Sequence, residues 1–301
     1  MSRKSNITKT AKFAWIGTWG LFLAAIAGVY ILFCPARNAG IEDLILFHPD
    51  PADTALYDPK QMAPYTRSDE YFRAGDGKLL HAWYCTNPRS THIVLFNHGN
   101  GGNVSDLIPK VKALLTAGVS VFCYDYEGYG KSEGKPALHA VLDDATSAFD
   151  YLVKVKHWTP QQIIIYGESL GGGVACALAA QRQCAALILE STFDSLAHLG
   201  KEKMWFLNAY PEMLFPSPRL NNLAVVRGKH PPLLILAGAK DQLIPCHNGI
   251  HLYDVASAPR KFVLLPFNDH ENIGEVDPGR YEQALRQFMG QYGFLGGTAT
   301  M

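Results

Sequence analysis

The sequence predicts an α/β fold: a mostly parallel sheet with helices on both faces. Three observations carry that expectation. Eight short apolar segments alternate with longer helical patterns from about residue 68 onward, as repeated βαβ units do. The later segments are continuous Val/Ile/Leu runs, the pattern of strands buried on both faces. One such run, Ile163-Ile164-Ile165-Tyr166, stops at Gly167-Glu168-Ser169-Leu170-Gly171, and an Ala/Leu-rich helical pattern follows at once.

In chain order, the first feature is apolar rather than globular. Residues 13–36 carry no charge, and Phe13 to Cys34 is almost wholly hydrophobic. As a helix those residues would span roughly 33 Å, enough to cross a bilayer. Arg3, Lys4, Lys9 and Lys12 precede the segment, whereas Arg37 alone is basic just after it, with Glu42 and Asp43 close by. The charge bias predicts a basic cytoplasmic tail over 1–12, a single-pass membrane anchor over 13–34 and a catalytic domain on the non-cytoplasmic side. Ala25-Ile26-Ala27 also fits a small-x-small cleavage site, so export after signal-peptide cleavage is the alternative. A Pro- and Asp-rich connector is expected over 35–67, the globular domain over 68–292 and a loose tail over 293–301.

The predicted strands are Glu70–Arg73, Lys78–Cys85, Ile93–Asn97, Val119–Tyr124, Gln162–Tyr166, Ala186–Glu190, Leu233–Ala237 and Phe262–Pro266. Helical patterns lie at about 106–117, 138–155, 170–182, 195–210, 247–257 and 279–291. The 27 basic and 27 acidic side chains balance, so no broad basic field argues for nucleic acid. Six cysteines show no metal-type spacing with histidine. Cys123 and Cys176 fall in a predicted strand and helix and read as small buried hydrophobes. Cys85, Cys184 and Cys246 would be free to pair in an oxidising compartment. No metal and no cofactor are expected.

The chemistry concentrates at the ends of the predicted strands. Gly-x-Ser-x-Gly between a strand and a helix lifts a serine onto a sharp turn as an exposed nucleophile. A serine hydroxyl needs an adjacent base, itself oriented by a third group. Asp241 follows the strand Leu233–Ala237, and His270 follows the strand Phe262–Pro266. Ser169, Asp241 and His270 therefore share the carboxyl edge, where open parallel sheets gather ligand-binding groups. Asp269 and Asp277 are the alternative acids. The loop His98-Gly99-Asn100-Gly101-Gly102-Asn103 follows an early strand, where an oxyanion hole draws one of its donors. Leu170 and Asn100 are the candidate backbone N–H donors, with Gly101 the alternative to Asn100. The loop lacks the Lys-Ser/Thr of a phosphate-binding loop and the glycine spacing of a dinucleotide fingerprint.

At these residues the chain resembles the α/β hydrolases, most closely the membrane-anchored serine hydrolases of the prolyl-oligopeptidase-like branch that includes protein depalmitoylases. Phe47-His48-Pro49, the His98–Asn103 loop, Tyr124 to Gly134, Gly167 to Gly172 and Asp241-Gln242-Leu243-Ile244-Pro245 are similar to that group's blocks. The resemblance covers roughly residues 45–290. It implies an eight-stranded sheet with only its second strand antiparallel, and the roles argued above for Ser169, Asp241 and His270. It departs at Glu127, where the group usually carries Arg. The Asp125–Gly134 block is expected to form a structural turn near the site.

About 40 residues separate Glu190 from Leu233 and hold Met204, Trp205, Phe206, Leu207, Tyr210, Met213, Leu214 and Phe215. They read either as a small cap, at about 193–230, that receives an acyl chain, or as an ordinary crossover helix and loop. Trp205, Phe206 and Tyr126 are the candidate pocket residues. The expected function is hydrolysis of a small-molecule or lipid-like ester or thioester through an acyl-enzyme. A serine peptidase or amidase is the alternative within enzymes. A non-catalytic membrane scaffold on the same fold is the alternative outside them.

Overall fold

The computed structural model describes residue 19 and residues 21–37, 46–50 and 64–295. Eight strands form one sheet: β1 Thr66–Arg73, β2 Leu79–Thr86, β3 Ile93–Asn97, β4 Ser120–Tyr124, β5 Ile163–Glu168, β6 Ala186–Glu190, β7 Leu233–Gly238 and β8 Arg260–Leu265. Their order is β8-β7-β6-β5-β3-β4-β2-β1. β2 pairs antiparallel with both β1 and β4, and every other pairing is parallel. Among the described residues from 64 onward the α-helices are α1 Ile108–Thr116, α2 Leu138–Lys154, α3 Leu170–Ala179, α4 Leu196–Lys203, α5 Asn222–Arg227, α6 His247–Val255 and α7 Pro278–Gln291.

Strand side chains alternate between faces, so each central strand feeds two cores. Ile93, Leu95, Ile163 and Ile165 pack with α2, α3, α5 and α6. Val94, Phe96, Ile164 and Tyr166 pack with α1 and α7. Every residue of β3, β4 and β6 is buried, which is why these strands read as unbroken apolar runs.

Several expected boundaries move; the α3 helix, for one, ends at Ala179 rather than at 182. β1 begins at Thr66 rather than Glu70, because an edge strand tolerates the exposed Thr66, Ser68 and Asp69. β8 runs from Arg260 rather than from Phe262. The helix expected over 195–210 ends at Lys203, where Met204 turns extended with φ −128° and ψ 94°, and a 3-10 turn, Trp205–Ala209, follows. The short α5 lies outside the expected helical patterns. Its signal is the capping residue Asn221, whose side chain accepts from Ala224 N–H at 3.0 Å.

The basic tail, residues 13–18 and 20 of the expected anchor, most of the connector and residues 296–301 lie outside the described residues. Residues 21–32 are helical, and a 3-10 turn spans Pro35–Arg37. Among the described residues no helix is long and apolar enough to cross a membrane. The described helix keeps Leu21, Phe22, Leu23, Ile26, Val29 and Leu32 exposed. Its end docks on the β6–β7 insertion. Tyr30 stacks on Tyr210 with centroids 4.5 Å apart, and Tyr210 Oη donates to Tyr30 O at 2.8 Å. Cys34 is buried beside Leu207 and Tyr210.

Candidate active site

β5 delivers Ser169 to its carboxyl end, and α3 starts on the next residue. The turn between them is tight. Ser169 sits at φ 54°, ψ −119°, a conformation that costs a non-glycine residue about 1–3 kcal/mol. A side chain at Gly167 would strike Gly171 O and Ala175 Cβ. One at Gly171 would strike Asn97 O and His98 O. The two glycines therefore let α3 lie against the ends of β3 and β5. The strained turn is clamped on both sides: Ser169 N–H donates to Glu190 O at 2.9 Å, and Thr192 Oγ1 donates to Ser169 O at 2.7 Å.

The structure brings Ser169, His270 and Asp241 together. His270 Nδ1 lies 2.7 Å from Asp241 Oδ2, and His270 Nε2 lies 3.0 Å from Ser169 Oγ. An ionised carboxylate only accepts, so Nδ1 carries the proton and Nε2 is left to accept from the serine hydroxyl. Asp241 is itself fixed, because Oδ1 accepts from Ile244 N–H at 2.7 Å. Its side chain is 1% exposed and that of His270 is 14% exposed, so the ion is shielded and the imidazole edge stays reachable. The alternative acids have other partners. Asp269 Oδ1 accepts from Glu271 and Asn272 N–H within its own loop, and Asp277 Oδ1 accepts from Arg280 N–H at the start of α7.

Leu170 opens α3, so its N–H is among the first-turn donors without an intrahelical acceptor. Asn100 lines the same cavity as Ser169 and Leu170. Its loop is held from three directions. Asn100 O accepts from His48 N–H at 2.8 Å and from Tyr129 Oη at 2.7 Å, and Asn100 Nδ2 donates to Leu46 O at 2.9 Å. Phe47-His48-Pro49 and the Tyr124–Gly134 block thus meet at the loop. Asp125 adds two more ties, accepting from Val104 N–H at 2.8 Å and facing His81 Nδ1 at 2.7 Å. Burial works against protonation of His81, but hydrogen bonds to Asp125 and Asp69 outweigh it and raise its pKa.

The pocket candidates separate. Phe206 lines the cavity beside Ser169. Trp205 is 84% exposed and is not among the residues lining it. Tyr126 is fully buried beneath the site, its hydroxyl donating to His98 O at 3.1 Å. The cavity measures about 610 Å3. The insertion contributes Leu196, Leu199, Gly200, Phe206 and Leu207 to its wall, and the chain before β1 contributes Leu32, Phe33, Pro35 and Leu46. Among the described lining residues Lys203 alone is charged, and it donates Nζ to Gln242 O at 2.7 Å.

Two features beneath the site have no motif in the sequence. Lys110 is buried between Glu168 Oε1 at 2.8 Å and Glu190 Oε1 at 2.6 Å. Burial opposes its charge, yet the two carboxylates hold its pKa above the ordinary lysine value. Tyr166 Oη reaches both Glu190 and Tyr281 Oη. A glutamate closing each of two buried strands was the available signal. The second feature is Asp144, buried in α2, which accepts from Glu127 N–H at 2.9 Å through one oxygen. Burial pushes its pKa up to about 8. Glu127 itself is buried and pairs with Lys78 Nζ at 2.6 Å, so the departure from arginine at this position has a local counter-charge.

All six cysteines are free, so Cys85, Cys184 and Cys246 form no bridge here. Cys85, Cys123 and Cys176 are buried in the cores. Among the described residues no cluster suited to a metal ion occurs.

A family model described as serine aminopeptidase, S33, matches residues 88–225. The chain is 31% identical to the uncharacterized protein YfhR of Salmonella typhimurium over 286 residues, covering 89% of this chain and 91% of that one. It is 29% identical over 251 residues to the alpha/beta hydrolase domain-containing protein WAV2 of Arabidopsis thaliana, covering 74% and 79% of the two chains. Among solved structures it is similar to the Pyrococcus furiosus esterase Pf2001. The TM-score is 0.68 at 19% identity, over 84% of this chain and 99% of that one. The chain belongs to the α/β-hydrolase superfamily.

Proposed function

We propose that the protein is a serine hydrolase that cleaves a carboxylic ester or thioester through an acyl-enzyme. The observation that carries this reading is the continuous chain of contacts from Ser169 Oγ through His270 to Asp241. Ser169 Oγ attacks the carbonyl carbon while His270 Nε2 takes its proton. The imidazolium then protonates the leaving alcohol or thiol. Asp241 stabilises the charged ring and fixes its tautomer. The Leu170 and Asn100 N–H groups receive the oxyanion at the start of α3. Water, activated by the same histidine, releases the acid and restores the serine. The scheme needs no cofactor and no metal.

The same groups can cleave amides, and the serine aminopeptidase description of the matching family model favours a peptidase as the second reading. A panel of p-nitrophenyl esters, acyl thioesters and amino-terminal peptide amides separates them. The esterase reading expects turnover of the esters or thioesters at least a hundredfold above the amides. It also expects loss of about 10³-fold or more in Ser169→Ala. Preferential cleavage of the peptides would replace it with the second reading.

We also propose that residues 13–34 tether the enzyme to a membrane, with the amino terminus cytoplasmic and the hydrolase domain on the other side. The uncharged apolar stretch and its flanking charges support this. Export after cleavage is the competing arrangement. An amino-terminal sequence of the mature protein beginning near residue 28 would favour it.

A further inference from the structure

We propose that the cavity beside Ser169 binds the acyl chain of the substrate, a linear chain of about twelve carbons or more, and that the amino-terminal segment builds one of its walls. The proposal rests on the serine hydrolase reading and names its substrate class.

Size comes first. At about 610 Å3, the cavity has room for roughly 20 methylene-sized groups, taking ~30 Å3 each, the share of one water in the liquid. An acetyl or butyryl group would leave most of that apolar surface wet.

Polarity comes second. Away from Ser169 and Asn100 the walls are almost wholly aliphatic and aromatic, and the head of Lys203 is already bonded to Gln242 O. A charged or hydrogen-bonding group entering here would lose its water without a partner. An alkyl chain loses nothing.

Direction comes third. The leaving group must reach His270 Nε2 to be protonated. Of the described residues that line the cavity, His270 is not one, whereas Leu170 and Asn100, the candidate oxyanion donors, are. A carbonyl held by those donors, with its leaving group toward His270, turns its remaining substituent into the cavity. That substituent is the acyl chain.

The part of the wall next to the insertion is the unusual one. Leu32, Phe33 and Pro35 line it, and Phe33 meets Phe206 edge-to-face at 6.1 Å. The exposed apolar helix 21–32 leads directly to these residues. The segment that tethers the enzyme therefore also shapes the chain-binding site, and it gives an acyl chain a continuous apolar path to Ser169.

The test uses the full-length chain in detergent micelles and p-nitrophenyl esters from C2 to C16. The expected kcat/KM rises with length by at most about fourfold per CH2, the rate equivalent of ~0.8 kcal/mol, and levels near C12 to C16. Gly200→Phe is expected to lower the long-to-short ratio at least tenfold. A Cβ at Gly200 meets Leu207 Cδ1 at an ordinary 3.4 Å, so the ring projects into the cavity without displacing backbone. Phe33→Ala changes a half-exposed side chain and is expected to lower the same ratio severalfold. Palmitoyl-CoA and a palmitoyl ester in phosphatidylcholine vesicles distinguish a soluble source of the chain from a bilayer source. In Ser169→Ala, calorimetry is expected to detect dodecanoate binding that Phe33→Ala weakens. A C2–C4 optimum with Ser169 reactive, or unchanged ratios in both variants, would overturn the acyl-chain proposal alone. No turnover at any length with Ser169 unreactive would remove the hydrolase reading beneath it.

Discussion

Gly171 and Asp241 constrain the site in different ways, and their substitutions separate folding from chemistry. Gly171→Ala would force a methyl group into Asn97 O and His98 O, so α3 could no longer seat against β3. The expected result is a loss of stability of about 2 kcal/mol or more together with loss of activity, read by denaturant unfolding and ester turnover. Asp241→Asn keeps the shape but lets the side chain donate, which favours the wrong imidazole tautomer. The expected result is a kcat about 10³–10⁴-fold lower in a protein with unchanged melting. Asp144 bears on stability instead. Its folded pKa lies near 8 because burial penalises the anion, whereas an unfolded aspartate titrates near 4. The folded state thus holds a proton that the unfolded state has released. The stabilising contribution is complete below about pH 4 and is lost as pH rises through 8. Asp144→Asn still accepts from Glu127 N–H, and its melting temperature is expected to fall less than the parent's between pH 5 and 9.

At the scale of elements, the strand ends and their loops hold the site. Tyr129 reaches Asn100 O from the β4–α2 turn at 2.7 Å. Tyr129→Phe removes one hydrogen bond worth about 0.5–1.5 kcal/mol, and kcat is expected to fall roughly two- to tenfold with KM little changed. Lys110 bridges α1 to the ends of β5 and β6. Lys110→Met leaves two carboxylates facing each other in the interior. A loss of about 3–5 kcal/mol is expected in urea unfolding. This is also the scale at which sequence and structure diverge. β3, β4 and β6 are apolar on both faces, so their runs announced them with boundaries within a residue. The polar edge strand β1 carries no such run, and its first half was not legible: it shows only in the pairing with β2. The 195–210 segment has a helical pattern throughout, but the docking of Tyr210 on Tyr30 competes with continuing the helix beyond Lys203. Asp241 and His270 were legible because each follows an apolar run directly. Lys110 was not, since its partners lie 58 and 80 residues away.

For the whole molecule, the sheet brings three remote stretches to one rim and the insertion roofs the adjoining cavity. The amino-terminal segment joins that roof through Tyr30, Phe33 and Cys34. If residues 13–34 form an anchor, the site sits close to the bilayer surface. The full-length protein is then expected to sediment with membranes and to resist extraction by carbonate. The charge distribution around residues 13–34 is the sequence feature on which that proposal rests. The participation of Leu32 and Phe33 in the cavity wall was not legible, because nothing local in the sequence records a contact across more than 160 residues.

The most direct measurement of the central claim is covalent: treat the folded protein with a fluorophosphonate and map the adduct by peptide mass spectrometry. The account predicts stoichiometric labelling at Ser169, prevented by prior unfolding and strongly slowed in His270→Ala. An unlabelled Ser169 in folded protein, or equal labelling with and without the imidazole, would contradict it.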